Sequence, residues 1–216
     1  MRPVLFDLDG TLTDPRLGIT RCLVHALERS GAPVPSEAEL LRYIGPPLHE
    51  AFRELLRTSH DEPVLAAVAH YRERFRTVGM FENAVYPGVA EGLHALKRSG
   101  RRLFLATSKP TVFARPILEH FELSRYFDGI YGSELSGERA DKAELIQYLL
   151  RAEGIVAKEA VMVGDRKHDV LGARKNGVRA LGVLWGFGGR DELVEAGAVR
   201  VCAHMAELVQ ALEASE

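Results

Sequence analysis

Two acids near the start of the chain, Asp7 and Asp9, have a spacing that lets them act on one ligand. They follow the apolar residues 4–6 and precede Gly10, a pattern that indicates a buried strand ending where the acids begin. Side chains two residues apart on a strand leave on the same side, so the two carboxylates can converge. Carboxylates this close repel each other unless a shared proton or a cation such as Mg²⁺ relieves them. An Asx turn before glycine explains the same residues, so this motif alone leaves both interpretations open.

Other polar groups follow later apolar segments or begin the helix between them. They are Thr107, Ser108 and Lys109, then Lys142, then the segment from Gly164 to Asp169. Ligands of open parallel sheets bind beyond the carboxyl ends of the strands, so these groups are expected at one edge. Carboxylates, hydroxyls and a lysine together indicate a metal-bound phosphate.

Known phosphate loops do not explain this pattern. The sequence has no G-x-x-x-x-G-K-[ST] segment, and Gly186-Phe187-Gly188-Gly189 is followed by Asp191 where a dinucleotide fingerprint needs its third glycine. The sequence therefore argues against a P-loop and against a dinucleotide site.

The elements that must position these groups divide the chain in two. After Thr11 the pattern is helical for about 70 residues, with four predicted helices separated by glycine and proline. From about residue 86, helices alternate with apolar strands predicted at 103–106, 130–131, 160–163, 180–184 and 199–201, which indicates βαβ units and a parallel sheet. We therefore predict an α/β protein with a discontinuous, Rossmann-like parallel-sheet core at 1–14 and 84–216. A helical-bundle cap at 15–83 is inserted after the first strand, where it can act as a lid.

The composition is that of an ordinary globular protein of 216 residues, 46% hydrophobic and 27% charged. Its 28 basic and 30 acidic residues give a net charge of −2 without a basic run, so neither a nucleic acid polymer nor a membrane is an expected partner. The early acids interrupt any signal peptide, and no stretch reaches about 18 uncharged apolar residues, which predicts a cytoplasmic protein. Cys22 and Cys202 are expected to be buried, reduced thiols without zinc.

The ordered motifs resemble those of the haloacid dehalogenase-like hydrolases, specifically the phosphatases with a helical cap after the first strand. The resemblance covers the whole chain. Its four motifs are Asp7-Leu8-Asp9-Gly10-Thr11, then Ala106-Thr107-Ser108, then Lys142, then Gly164-Asp165-Arg166-Lys167-His168-Asp169.

The resemblance implies that Asp7 is the nucleophile and forms an aspartyl-phosphate, while Asp9 acts as general acid and then as general base. Mg²⁺ would be held by the Asp7 carboxylate, the Asp9 backbone carbonyl and Asp165. Asp169 would orient a metal-bound water or Lys142.

The remaining motif residues are expected to bind the phosphate. Thr107 and the Ser108 amide would contact its oxygens, and Lys142 would neutralise the charge shared by the phosphate and Asp7.

Several nearby residues have a simpler interpretation. Lys109, Arg166 and Lys167 are expected to be solvated charges, and His168 a packed or surface histidine. Trp185 and the glycines after it are expected to form a loop that packs on the core.

Relatives with other chemistry fit the sequence less well. Dehalogenases lack the second acid, and phosphonate hydrolases need a cap lysine, which 15–83 does not contain. Sugar phosphomutases usually have an apolar β-branched residue where Thr11 stands. Phosphomonoester hydrolysis is therefore predicted, with a sugar phosphomutase or a non-catalytic phosphate-binding module as the alternatives.

The cap should determine the substrate, because the core contacts only the phosphate. The segment Ile44-Gly45-Pro46-Pro47-Leu48 and the last motif look most like the phosphoglycolate phosphatase branch, whose nearest-looking members include 5′-nucleotidases. We expect a small phosphorylated metabolite, either phosphoglycolate or a nucleoside 5′-monophosphate, and a monomer or homodimer. Arg42, Tyr43 and Gly45 are the candidates for contacting the leaving group.

Overall fold

The computed structural model describes residues 3–214. The chain forms two compact units, one of Met1–Asp14 and Val85–Glu216, the core unit, and one of Pro15–Ala84, the helical unit. The helical unit ends at Ala84, one residue after the predicted end of the cap at residue 83. Residues 1, 2, 215 and 216, which the predicted core includes, lie outside the described part of the chain.

The strands in chain order are β1 (Val4–Phe6), β2 (Thr13–Asp14), β3 (Ala84–Val85), β4 (Leu103–Pro110), β5 (Gly129–Ser133), β6 (Val161–Gly164), β7 (Arg179–Val183) and β8 (Arg200–Cys202). The helices are α1 (Arg16–Arg29), α2 (Glu37–Leu40), α3 (Leu48–Leu55), α4 (Asp61–Thr77), α5 (Val89–Arg98), α6 (Thr111–His120), α7 (Lys142–Ala152), α8 (Lys167–Lys175), α9 (Arg190–Ala196) and α10 (Met205–Glu213). The two short strands β2 and β3 lie where the chain passes from one unit to the other.

The core unit holds a six-stranded sheet in the order β5-β4-β1-β6-β7-β8, with every neighbouring pair parallel. This confirms the predicted α/β class. β1 is fully buried between β4 and β6, and later strands extend the sheet on both sides of it. The strand order reverses there, and ligands of open α/β sheets bind at the carboxyl edge beside such a reversal.

Short apolar runs explain why the strands form where they do, because strands covered on both faces need no polar alternation. β1 pairs with both neighbours in register, Val4 lying opposite Leu103 on one side and Val161 on the other. Asp7 continues the ladder by donating its backbone N–H to the Val163 carbonyl, 3.0 Å away. The first acid is therefore held by the sheet itself.

Three core elements differ from the sequence prediction. β4 continues four residues beyond Ala106, because Thr107 and Pro110 still pair with β5 across a register shift. α8 begins at Lys167, whereas the apolar pattern after the last motif predicts a start at Val170. α9 was not predicted, since its seven residues bury too few apolar side chains to show a period.

The helical unit contains four α-helices, as predicted, although the second is shorter than the sequence indicated. α2 ends at Leu40 and a 3₁₀ turn follows at Leu41–Tyr43, before the glycine and prolines that were expected to end it. The unit has its own aromatic contacts, in which Tyr71 stacks on Phe75 at 5.4 Å between ring centroids. Through the described residues, no helix has the length and apolar character to cross a membrane.

Candidate active site

A tight turn after β1 carries both early acids. The Leu8 carbonyl accepts hydrogen bonds from the backbone N–H groups of Thr11, Leu12 and Thr13, at 2.9 to 3.2 Å. Gly10 takes φ +85°, and a Cβ there would lie 2.2 Å from an Asp165 carboxylate oxygen. Glycine is thus required both by the backbone conformation and by the closeness of the acid.

A buried lysine joins two of the acids. Lys142 Nζ lies 2.9 Å from Asp7 Oδ1 and 2.8 Å from Asp169 Oδ1, and it donates to the Ala106 carbonyl at 2.9 Å. Burial lowers the pKa of Lys142, but Asp169 and Asp7 outweigh it and the pKa lies above its ordinary value. Lys142 is therefore a fixed positive charge between these acids.

Asp165 lies deepest in the site, fully buried. Thr11 Oγ1 donates to its Oδ1 at 3.3 Å, and the Phe187 backbone N–H donates to its Oδ2 at 2.8 Å. Burial, together with repulsion from Asp169 and Asp7, raises the pKa of Asp165 to about 8. As an anion, Asp165 would need a positive partner that these contacts do not supply.

The three acids Asp7, Asp165 and Asp169 each place a carboxylate oxygen within 4.8 Å of the other two. This group could hold a metal ion. A bound cation would offset the burial and the acid–acid repulsion that raise the pKa of Asp165. Oxygen-only donors fit a hard divalent cation. The predicted ligand set shares Asp7 and Asp165 with this group, but its third ligand is the backbone carbonyl of Asp9 instead of Asp169.

The Asp9 side chain is held by Lys109, whose Nζ lies 2.8 Å from Asp9 Oδ2. The side chain of Lys109 is only 7% exposed, so its interpretation as a solvated charge was wrong. Burial raises the pKa of Asp9, while Lys109 opposes that rise. A lysine directly after a strand was visible in the sequence, but its side-chain direction was not.

The end of β4 brings Thr107 and Ser108 to the same edge. Thr107 is buried, and its Oγ1 accepts the backbone N–H of Lys109 at 3.3 Å. Ser133 Oγ donates to the Ser108 carbonyl at 2.7 Å. A register shift in the pairing with β5 falls between Thr107 and Pro110, and such bulges often re-aim side chains beside active sites. Phosphate binding by Thr107 and Ser108 stays a prediction.

A glycine-rich loop, residues 185–189, packs directly on the acids. Trp185 Nε1 donates to the Thr11 carbonyl at 2.9 Å. A Cβ on Gly186 would lie 2.3 Å from the Gly10 carbonyl oxygen and 2.4 Å from Asp165 Oδ2. The sequence predicted only a loop packed on the core, although three glycines shortly after a strand end were a signal of close backbone approach.

One charge in the last motif, Arg166, is paired with an acid outside the motifs. Arg166 Nε lies 2.9 Å from Glu192 Oε1, and the Arg166 side chain is 19% exposed, so this residue is not the solvated charge that was expected. Lys167 and His168 are exposed, as expected. The Arg166 partner is on α9, an element the sequence did not reveal.

The leaving-group candidates belong to the helical unit. Arg42 is exposed and its Nη2 lies 3.1 Å from Glu54 Oε1, while its guanidinium carbon is 5.9 Å from the Tyr43 ring centroid. Gly45 takes φ +106°. Contact between these residues and a substrate stays a prediction.

Comparison with known proteins finds a family model described as haloacid dehalogenase-like hydrolase, which matches residues 4–183. Relatives include a 5′-nucleotidase of Pseudomonas aeruginosa, 52% identical over 97% of this chain and 95% of the relative. A protein of Mycobacterium tuberculosis named tyrosine-protein kinase PtkA is 38% identical over 98% of this chain and 71% of its own length. Phosphoglycolate phosphatase 1 of P. aeruginosa is 33% identical over 96% of this chain and 78% of the relative.

A solved structure is similar over nearly the whole fold. It is described as a "predicted phosphatase" from Clostridium acetobutylicum, shares 42% sequence identity and superposes with a TM-score of 0.94, covering 99% of this chain and 98% of the other. The similarity therefore includes both units and not the sheet alone.

Proposed function

The chain belongs to the haloacid dehalogenase-like hydrolase family and is a phosphatase of that family, and from this premise we propose that it hydrolyses a small phosphomonoester through an aspartyl-phosphate on Asp7, with Mg²⁺ bound. The observation that carries the proposal is the contact of Lys142 Nζ with Asp7 Oδ1 at the carboxyl edge of the sheet. It gives a buried carboxylate the fixed positive charge that an approaching phosphate requires.

In the first step an Asp7 carboxylate oxygen attacks the phosphorus atom and the bond from phosphorus to the leaving oxygen breaks. The carboxyl proton of Asp9 passes to that oxygen, which leaves as an alcohol. Burial raises the pKa of Asp9, which supports a role as proton donor. Lys142 neutralises the added negative charge, and Thr107 with the Ser108 amide holds the phosphate oxygens.

In the second step the Asp9 carboxylate takes a proton from water as the water oxygen attacks phosphorus. The bond between phosphorus and the Asp7 oxygen breaks, so inorganic phosphate leaves and Asp9 regains its proton. Both steps use the same two acids, which accounts for their placement on one turn.

The residues proposed to hold Mg²⁺ are Asp7, Asp165 and the backbone carbonyl of Asp9, with Asp169 orienting a bound water or Lys142. When bound, the ion would offset negative charge on the phosphate. The cluster of buried acids supports this assignment.

A nucleoside 5′-monophosphate is the substrate we favour over phosphoglycolate, because the relative named 5′-nucleotidase is the more similar of the two phosphatases. Arg42, Tyr43 and Gly45 are proposed to contact the leaving group. We propose a cytoplasmic location, which the two buried free cysteines support.

The test is release of inorganic phosphate from nucleoside 5′-monophosphates, phosphoglycolate and sugar phosphates, with Mg²⁺ or with EDTA, by wild type and by Asp7→Asn. We expect turnover only by wild type with Mg²⁺, and the best substrate identifies the branch. Turnover by Asp7→Asn would exclude the aspartyl-phosphate.

The relative named as a tyrosine kinase suggests one further arm of this assay, ATP with a tyrosine peptide. If water is the phosphate acceptor, this arm should give free phosphate and leave the peptide unmodified. Phosphorylation of the peptide would instead make tyrosine, not water, the acceptor.

A further inference from the structure

We infer that Lys109 is a positioning residue for the acid–base catalyst, holding one carboxylate oxygen of Asp9 so that the other is presented to the leaving-group oxygen. This inference rests on the proposed function, in which Asp9 transfers the proton. It gives a role to a lysine that lies outside the four motifs.

The two oxygens of Asp9 have different surroundings. Oδ2 lies 2.8 Å from Lys109 Nζ, and the two side chains are only 14% and 7% exposed. Oδ1 is buried and has no hydrogen-bond partner within residues 3–214. A buried carboxylate oxygen without a partner is costly, so a bound leaving group that shares a proton with it would complete the site.

Lys109 is itself held by the segment proposed to bind phosphate. Its backbone N–H donates to Thr107 Oγ1 at 3.3 Å, inside the irregular end of β4. The lysine and the phosphate-binding groups therefore belong to one short stretch of backbone. A phosphate bound there would have its leaving oxygen at a fixed distance from the carboxylate that Lys109 holds.

The site thus contains two buried lysines with separate partners. Lys142 contacts Asp7 and Asp169, whereas Lys109 contacts Asp9. If Lys109 is removed, Asp9 loses the partner that fixes its rotation, and small misplacements of a reacting group can reduce a rate about 100-fold. The loss should appear only where proton transfer to the leaving group matters.

The experiment compares kcat/KM for two substrates that differ in leaving group: the best alkyl phosphate of the panel and p-nitrophenyl phosphate, whose leaving group needs little protonation. For Lys109→Met we expect a fall of about 10-fold to 100-fold with the alkyl phosphate. With p-nitrophenyl phosphate we expect a fall below about fivefold. Lys109→Arg should recover part of the loss, because its guanidinium can still reach a carboxylate.

A double variant separates action through Asp9 from an independent effect. Asp9→Asn should show the same dependence on the leaving group, and Asp9→Asn/Lys109→Met should be no slower than Asp9→Asn alone. The matched control is Lys97→Met, which removes a lysine that pairs with Asp128 at 2.9 Å and should leave both substrates unaffected.

Three results would overturn the inference: equal losses with both substrates, losses that multiply in the double variant, or wild-type rates in Lys109→Met. If Lys109→Met does not fold, Lys109→Gln takes its place under the same criteria. Wild-type turnover that Asp7→Asn abolishes keeps the proposed function in each of these cases. Absence of wild-type turnover would remove the proposed function and this inference together.

Discussion

The ion pairs at the carboxyl edge of the core sheet differ from most of those in the helical unit both in burial and in sequence separation. Lys142 and Asp7 are 135 residues apart in sequence, and their side chains are 4% and 13% exposed. Arg53 and Asp61 are eight residues apart, and theirs are 51% and 71% exposed.

This difference indicates what each kind of pair does. An exposed pair is screened by water and typically contributes 0 to about 1 kcal/mol to stability. A buried pair loses hydration on forming, so it is weak grounds for stability, although removing one partner leaves a costly charge. Stability alone therefore does not explain the buried pairs, and the exposed pairs contribute little to it.

One cluster of two ion pairs in the helical unit has intermediate burial. Glu82 is 17% exposed and lies 2.6 Å from Arg74 and 2.5 Å from Arg21. The hydrogen bond from Arg74 is the main reason that the pKa of Glu82 lies below its ordinary value. No catalytic role is proposed for this cluster, so it tests whether partial burial alone makes an ion pair important for stability.

The largest expected effect is that of Lys142→Met. Loss of this cation should lower kcat/KM by about 100-fold to 1000-fold, because charge on the phosphate and on Asp7 is no longer neutralised. Phosphate release at saturating Mg²⁺ measures it, with Lys97→Met as the control. A rate within about fivefold of wild type would mean that the buried pair is structural.

A smaller effect, on stability, is expected for Glu82→Gln. The folded-state pKa of Glu82 is lowered, so the stabilisation is present above its unfolded pKa and is lost as the pH falls through the folded value. We expect Glu82→Gln to be less stable than wild type by about 1 to 2 kcal/mol near pH 7, and the difference to shrink below about pH 4. Urea unfolding of both proteins across this range measures it. A difference that does not change with pH would contradict the role of the Glu82 charge.

The smallest effect is expected for Arg53→Ala. Its exposed pair with Asp61 should change the free energy of unfolding by less than about 1 kcal/mol, and less again in high salt. Urea unfolding at low and high ionic strength tests this. A loss as large as that of Glu82→Gln would erase the distinction between exposed and partly buried pairs.

The sheet and the placement of its polar ends could be predicted because they depend on local patterns. The apolar runs before Asp7, Thr107 and Asp165 are short and uninterrupted, and parallel strands bring such ends together. Gly10 marked the turn between strand and helix. Aspartate is a residue type that favours the start of a helix, and Asp141 precedes α7, where its carboxylate accepts from the backbone N–H groups of Ala143 and Glu144.

Contacts that depend on side-chain direction could not be predicted. The residue type and position of Lys109 are the same whether its side chain points to solvent or to Asp9, and it lies in the part of β4 where the pairing with β5 shifts register. Arg166 finds Glu192 on a helix too short to show a period. The closeness of Gly186 to Asp165 depends on how two distant loops meet, which periodicity does not report.

The central position of β1 also bears on the order in which the protein can assemble. β1 has three residues, and its neighbours in the sheet begin at Leu103 and Val161. Closing such long loops is entropically slow, and β1 gains its hydrogen bonds only when these later strands are available. The helical unit, whose contacts are more local, can fold before them. Asp7 therefore remains without Lys142 and Asp165 until synthesis has passed β6, and a nascent chain would acquire its reactive site only after that strand is available.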